Sequence, residues 1–386
     1  MPPLAGVELA TLPTSIGYEG RDDIMMATFA PGTVAAGVLT QNSAAAAPVL
    51  WTRQRLQNAD APAALLINAG NANCYTGRAG HAIVRDAAGR AAECLGATPE
   101  NIYICSTGRI GLAVPPQAML DAISTLSQDR GSDRWHAAAK AIMTTDRWPK
   151  AAVVKVSTAG GEATLYGIAK GTSMIAPNMA TTINAVFTDA KIDRADLQSA
   201  LDAAVVTTYN SISVDETTST NDSLLAFATG AGPTISGDDL PAFQEGLRDL
   251  LHQMSQALLA DARKDGRLVE CRVTGAESDG AARKIARSIA CSLLLRRVLA
   301  QGELFAAEQS SAGRILAAAG GSLEAMHRDR LAIRVGGALV LKDGEVLSHP
   351  GDAARNGFSG DHVEIEFHAG VGQGAGIIWT VVPTSS

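Results

Sequence analysis

A series of short apolar runs sets the strongest limit on what this chain can fold into. They stand at residues 24–28 (IMMAT), 35–39 (AAGVL), 64–67 (ALLI), 102–105 (IYIC), 151–157 (AAVVKVS), 163–168 (ATLYGI) and 183–188 (INAVFT). Short runs of this kind, rich in β-branched residues and bounded by turn formers, read as strands. Helical spacing of apolar residues lies between or after them, at 82–95, 115–126 and 193–205. The pattern predicts an α/β or α+β fold.

From residue 236 the character changes. A long amphipathic helix with an acidic start, SGDDLPAFQEGLRDLLHQMSQALLADA, leads to a strand at 268–274 and a helix at 280–299. Terminal strands follow, among them a hairpin in VLKDGEVL, where Asp343-Gly344 suits the positive φ angles of a type I′ turn. The expected division is a sandwich domain over 1–235 and a C-terminal α/β lobe over 236–386, with strand order left open. At 386 residues there is chain enough for roughly two domains and a sizeable core.

Charge and cysteine usage remove several function classes. Hydrophobic residues make up 46% and charged residues 18%, so nothing marks the chain as disordered. A net charge of −7 without a Lys/Arg-rich block gives counterion release no footing, which argues against a nucleic-acid partner. No basic, apolar leader opens the chain and no stretch approaches about 18 uninterrupted apolar residues, so the reading is soluble and cytoplasmic, with no membrane partner. Five scattered cysteines without a CxxC pair and seven scattered histidines without HExxH recommend neither a disulfide framework nor a metal.

Three segments invite a chemical reading, each beside a plain one. GVGQGAG at 370–376 follows a strand but precedes another strand, so no helix N-terminus is on hand for a phosphate, and a flexible hairpin loop is the expectation. In CSTGRIG, at 105–111, glycine can let a backbone N–H point into a site beside a threonine hydroxyl, as an oxyanion hole requires; otherwise it is a loop. In IAPNMATTINAVFTDA, at 175–190, scission of the Ala180-Thr181 bond would leave Thr181 with a hydroxyl and an α-amine of pKa near ~8 that can act as its base. The other reading of that string is a Pro-Asn turn leading into a strand.

KGTSMIAPNMATTINAVFTDA resembles the self-cleaving segment of the ornithine acetyltransferase family (bifunctional glutamate N-acetyltransferase), with its Met-Ala-Thr and Phe-Thr-Asp-Ala strings. The resemblance extends over most of the chain. GRDDIMMATFAPGTVAAGVLTQNSAAAAPVLWTRQ is similar to the family's N-terminal block, INAGNANCYTG to its Asn-rich loop, CSTGRIG to its Ser-Thr-Gly loop and AIMTTDRWPK to its Thr-Thr-Asp segment. SISVDETTSTNDS and VTGAESDGAARKIARSIACS continue the series in order.

The resemblance implies an α-β-β-α sandwich and autocleavage into an α chain (1–180) and a β chain (181–386) that stay associated, as a dimer of αβ pairs. It implies Thr181 as nucleophile, Thr107 and Gly108 as the oxyanion pair, Thr144 and Lys170 at substrate positions, and no cofactor. The implied reaction moves acetyl from N-acetylornithine to glutamate through an acetyl-threonine ester. Three departures fall on substrate recognition. The family's Asp-Gly-Glu-Gly-Ala-Thr segment is reduced to Asp265-Gly266 followed by Arg267, with Glu270 a weak substitute for the lost carboxylate. FAAEQSSAGR keeps only Gly313-Arg314 of another family segment, and WTVVPTSS lacks the family's terminal strand. A buried charge without its partner costs several kcal/mol, so an altered amino-acid-like substrate, handled by a specialised acyltransferase or an amidohydrolase, is the competing expectation.

Overall fold

The computed structural model describes residues 1–14, 16–176, 182–264, 266–301, 310–347, 357 and 360–383. They form two compact units: Met1–Asn210 with Thr217–Asp261, and Ser211–Glu216 with the chain from Ala262 onward.

In chain order the first unit contains β1 (Val7–Leu12), β2 (Ile24–Phe29), β3 (Val34–Leu39), α1 (Ala47–Asn58), β4 (Ala64–Asn68), α2 (Gly77–Leu95), β5 (Ile102–Ser106), α3 (Pro116–Leu126), α4 (Trp135–Ala141), β6 (Lys150–Thr158), β7 (Gly161–Lys170), β8 (Ile183–Thr188), β9 (Lys191–Ile192) and α5 (Arg194–Thr207). After the two-residue strand β10 (Ile212–Ser213), which belongs to the second unit, it resumes with β11 (Ser223–Ala228), β12 (Thr234–Ile235) and α6 (Leu240–Arg263), which belongs to it as far as Asp261. One sheet has the order β1-β2-β4-β5 and a second has β3-β11-β8-β7-β6.

The two sheets face each other because their strands carry apolar side chains on alternate faces. Met25, Ala27, Leu65, Ile67, Tyr103 and Cys105 point inward to meet Tyr166, Ile168, Ala185, Phe187, Leu225 and Phe227 from the second sheet. Their neighbours Ile24, Met26, Ala64, Leu66, Ile102 and Ile104 point outward under α2 and α3. Burial on both faces is why these strands read as continuous apolar runs rather than alternating ones. Aromatic rings fill the inner layer: Phe29 stacks on Phe227 at 4.4 Å and Trp135 meets Tyr166 edge-on at 4.9 Å.

On the other side, α5 packs on β3 of the second sheet, and α6 lies against β6 and β7 of the same sheet. Gly167 of β7 lets α6 come close, since a Cβ there would sit 2.1 Å from Met254 Sδ. The expected α-β-β-α sandwich is therefore the observed one. Among the described residues no helix is long and apolar enough to cross a membrane.

In the second unit come β13 (Arg267–Ala276), α7 (Asp279–Ala290), α8 (Leu293–Gln301), α9 (Ser310–Gly320), β14 (Ala332–Val335), β15 (Ala338–Lys342), β16 (Glu345–Val346), β17 (His362–His368) and β18 (Gly374–Val382). Its sheet runs β10-β18-β13-β17-β14-β15-β16. In β17, Val363, Ile365 and Phe367 are buried while His362, Glu364, Glu366 and His368 are exposed, the alternation of a sheet with one face in water. Asp343 (φ 50°) and Gly344 (φ 80°) make the expected turn between β15 and β16.

Three expectations need correction. The boundary between the units falls after Asp261 rather than near 235. The reason is that α6 is fastened to the first unit by Gly246, packed on Val156, and by Asp261, ion-paired to Lys150 at 2.6 Å. The helix expected at 280–299 is two, because Ser292 breaks it: its carbonyl and Oγ accept the N–H groups of Arg296 and Leu295 and start α8 afresh. GVGQGAG is no hairpin loop, since β13 lies between β17 and β18. Its glycines serve close approach: a Cβ on Gly372 would lie 2.5 Å from the Ala276 carbonyl oxygen, and one on Gly374 2.2 Å from the Ser278 carbonyl carbon.

Candidate active site

The parallel strands β4 and β5 end side by side, and the loops that follow are tied to each other. Thr107 N–H donates to the Asn68 carbonyl (2.9 Å), Arg109 N–H to Gly70 (3.2 Å) and Ala72 N–H to Arg109 (3.0 Å). Asn68 Oδ1 accepts the Ser106 hydroxyl at 2.6 Å. Gly108 lies between these bonds at φ 131°, with space for no side chain: a Cβ would come 2.2 Å from Gly70 C and 2.5 Å from Asn71 N. Among the described residues, its N–H and the Thr107 hydroxyl find no acceptor, and both residues line a cavity of about 350 Å³.

The same cavity is lined by Thr144, Thr145, Lys170, Thr172, Ser173, Ser219, Thr220 and Asn221, with Tyr18 and Arg109. Thus Thr107, Gly108, Thr144 and Lys170, taken from three separate segments of sequence, are brought together. Ala180 and Thr181 lie outside the described residues. The chain resumes at Thr182, and Ile183, two residues beyond Thr181, is paired with Lys170 across β7 and β8.

Buried charges hold this floor. Lys150 lies between Asp146 and Asp261, 2.6 Å from a carboxylate oxygen of each, with all three side chains shielded from water. Asp146 also accepts the N–H of Thr144 (2.9 Å) and of Gly171 (2.6 Å), so one carboxylate positions both the Thr144 loop and the end of β7. Burial acts to raise its pKa, but Lys170, Lys150 and the Gly171 N–H outweigh it and hold the carboxyl below its ordinary range. Burial likewise pushes the Lys170 ammonium down, offset in part by Asp146 and Asp222 and reinforced by Lys150.

Thr182 N–H, the amide that joins it to Thr181, donates to Asp222 Oδ1 at 2.7 Å. Asn184 donates to Thr182 Oγ1 and accepts from the Tyr209 hydroxyl at 2.7 Å. Asn221 next door donates to the carbonyls of Ala72 (2.6 Å) and Ser106 (2.8 Å), tying the Ser219–Asp222 loop to the two loops that meet at Gly108. In the sequence, Ser219-Thr220-Asn221-Asp222 carries no mark of a role in the site. Its only signal was a run of small polar residues before an apolar strand. Arg109 and Tyr18 were likewise unassigned. Glu270 hydrogen-bonds Arg272 at 2.7 Å and the Trp379 indole at 3.3 Å on the sheet of the second unit.

Asp222 lends itself to a test. Burial drives its pKa well above the ordinary 3.8, against the pull of the Thr182 N–H and Lys170. The folded chain therefore keeps a proton that the unfolded chain releases. The group's contribution to stability is whole below pH ~4 and falls as pH rises through the raised folded value. Asp222→Asn, which cannot ionise, should gain in stability on the parent between pH 4 and pH 8 by urea unfolding. A difference that shrinks over that range would contradict the assignment.

Comparison with known proteins gives these features a family. The model of the ArgJ family matches residues 9–382. An arginine biosynthesis bifunctional protein ArgJ from Gluconobacter oxydans is 40% identical over 98% of this chain and 89% of its own length. The Nitrobacter winogradskyi protein of the same name is 40% identical over 97% and 91%. An ornithine acetyltransferase of Mycobacterium tuberculosis, solved with ornithine, is 33% identical over 47% of this chain and 94% of the solved one, with a TM-score of 0.42. The chain belongs to the ArgJ family.

Proposed function

We propose that this protein is a self-processed acyltransferase whose nucleophile is Thr181, and that it moves an acetyl group between amino-acid amines. N-acetylornithine as donor and glutamate as acceptor are the substrates that fit the family. The observation that carries the reading is the meeting of Thr107, Gly108, Thr144 and Lys170 around one cavity, beside the strand that Thr181 precedes. The segments 1–180 and 181–386 remain associated after scission, such heterodimers pair, and the enzyme works in the cytoplasm.

In self-processing, Thr181 Oγ attacks the Ala180 carbonyl carbon and the Thr181 nitrogen leaves as an amine, converting the peptide to an ester. Water then hydrolyses the ester and frees both the hydroxyl and the α-amine. In turnover the amine takes the hydroxyl proton as Oγ adds to the acyl carbon of the donor. Charge develops on the acyl oxygen, where the Thr107 O–H and Gly108 N–H are available to donate. Collapse expels the donor's nitrogen, which takes the proton from the Thr181 ammonium, and leaves an acyl-threonine ester. An acceptor amine repeats the steps in reverse order and carries the acyl group away. No metal or redox group takes part.

Intact mass spectrometry of the purified protein under denaturing conditions should give two polypeptides that meet at Ala180/Thr181. Brief exposure to N-acetylornithine should add an acetyl mass to the fragment that begins with Thr181. A single uncut polypeptide that nevertheless turns over substrate would refute the proposal. Free acetate formed at a rate independent of acceptor concentration would assign the chemistry to a hydrolase instead.

A further inference from the structure

The cavity has an uneven charge. Its described lining holds two cationic side chains, Lys170 and Arg109, and no carboxylate. The two cations differ in kind. Lys170 is buried and faces the Asp146 carboxylate, which offsets its charge. Arg109 is exposed and follows directly on the oxyanion turn, and no carboxylate among the described residues forms an ion pair with it.

Arg109 is also held in place from the backbone side. Its N–H and C=O are both engaged, to Gly70 and from Ala72, so the root of the side chain is fixed to the loop that carries Gly108. Across the lining, Tyr18 is aimed by Asp23, whose carboxylate accepts the N–H groups of Thr14, Gly17 and Tyr18 together with the Thr14 hydroxyl. The Arg21 guanidinium stacks on the Tyr18 ring at 3.9 Å. Burial raises the pKa of the Tyr18 phenol, with Asp146 and Asp23 adding to it, while Arg21 and Arg109 pull it down, so both guanidinium groups act on that wall of the cavity.

A side-chain carboxylate entering here meets in Arg109 a planar fork of donors that a neutral amide uses less well, and no carboxylate on the lining competes for it. A space of about 350 Å³ is at the small end of ligand pockets, as a single amino acid requires. We propose that Arg109 is a specificity-determining residue that holds the side-chain carboxylate of a dicarboxylic acceptor amino acid and so selects glutamate over glutamine. The assignment rests on the acyl-transfer reading for its place in a reaction, but the binding it predicts can be measured without turnover.

The test is calorimetric binding of glutamate and glutamine to the purified protein and to Arg109→Gln and Arg109→Lys. The parent should prefer glutamate to glutamine by about tenfold or more, and the preference should weaken as salt is raised, because Arg109 is exposed. Arg109→Gln should bring the glutamate-to-glutamine ratio close to one. Arg109→Lys should restore part of it, since a point charge attracts the carboxylate without the bidentate geometry. A parent that binds the two equally, or a ratio that Arg109→Gln leaves within twofold, overturns the proposal. Mass spectrometry of the acyl adduct on the same preparations reads the other question. If Thr181 never acylates while the binding ratio still follows Arg109, the acyl-transfer reading fails and the carboxylate site stands.

Discussion

Thr181→Ala is expected to leave one uncut polypeptide of 386 residues, with acyl transfer reduced by at least about 10⁴-fold. Alanine keeps the Cβ but lacks the hydroxyl that the proposal assigns to attack on the Ala180 carbonyl, so on that reading neither the ester nor the new N-terminus can form. The two consequences are linked. Without scission there is no free α-amine, and without the hydroxyl an artificially supplied amine would have nothing to activate. Thr181→Ser separates them from any effect of packing, because it retains the hydroxyl and loses a methyl. It should still cleave, more slowly, and show acyl transfer in proportion to the fraction cut. Denaturing electrophoresis and acetyl transfer to glutamate on the same samples check both. Cleavage that persists in Thr181→Ala would move the nucleophile elsewhere.

How much of this was legible in the sequence follows from which interactions are local. Strands such as β4 and β5 announce themselves, because burial on both faces leaves four or five apolar residues in a row. The Asp343-Gly344 turn is a matter of two φ angles and is equally readable. Sheet order is not local: nothing in the chain between 362 and 382 says that β13, some ninety residues earlier, slots between its two strands, and so a hairpin was expected there. The break at Ser292 depends on one side chain competing with the helix, a near-balance that periodicity does not register.

The site shows the same division. Its individual strings were recognisable, but their meeting depends on contacts of long sequence separation, such as Asn221 to the Ser106 carbonyl. Asp222 and Asp146 gave no signal because a buried carboxylate and a surface one are spelled alike. Only the surroundings, Thr182 N–H and Lys170 in one case and Gly171 and Lys150 in the other, distinguish them. The division near 235 was misplaced for a similar reason, since α6 looks the same whichever unit its apolar face covers. Gly246 and Met254 decide it through partners on β6 and β7.

Gly108→Ala is expected to cost at least about 10²-fold in kcat, the loss associated with removing one oxyanion donor, and to do so without preventing the protein from binding glutamate. The backbone at φ 131° is one that only glycine adopts readily, and a methyl group would have to occupy space already filled by Gly70 and Asn71 backbone atoms. Backbone cannot give way as a flexible side chain does. The turn must therefore shift, and the Gly108 N–H shifts with it. The bonds on either side, Thr107 to Asn68 and Arg109 to Gly70, would be strained together, so a loss of stability of about 1–3 kcal/mol should accompany the loss of rate. Thr107→Val separates rate from folding: it deletes the hydroxyl at nearly constant volume and leaves the backbone turn alone. It should lower kcat by about 10²-fold while keeping the thermal midpoint within a few degrees of the parent. Equal kcat in parent and Thr107→Val would show that the acyl oxygen is stabilised by other groups. If Gly108→Ala lost stability without losing rate, the turn would be a structural device rather than the seat of the oxyanion.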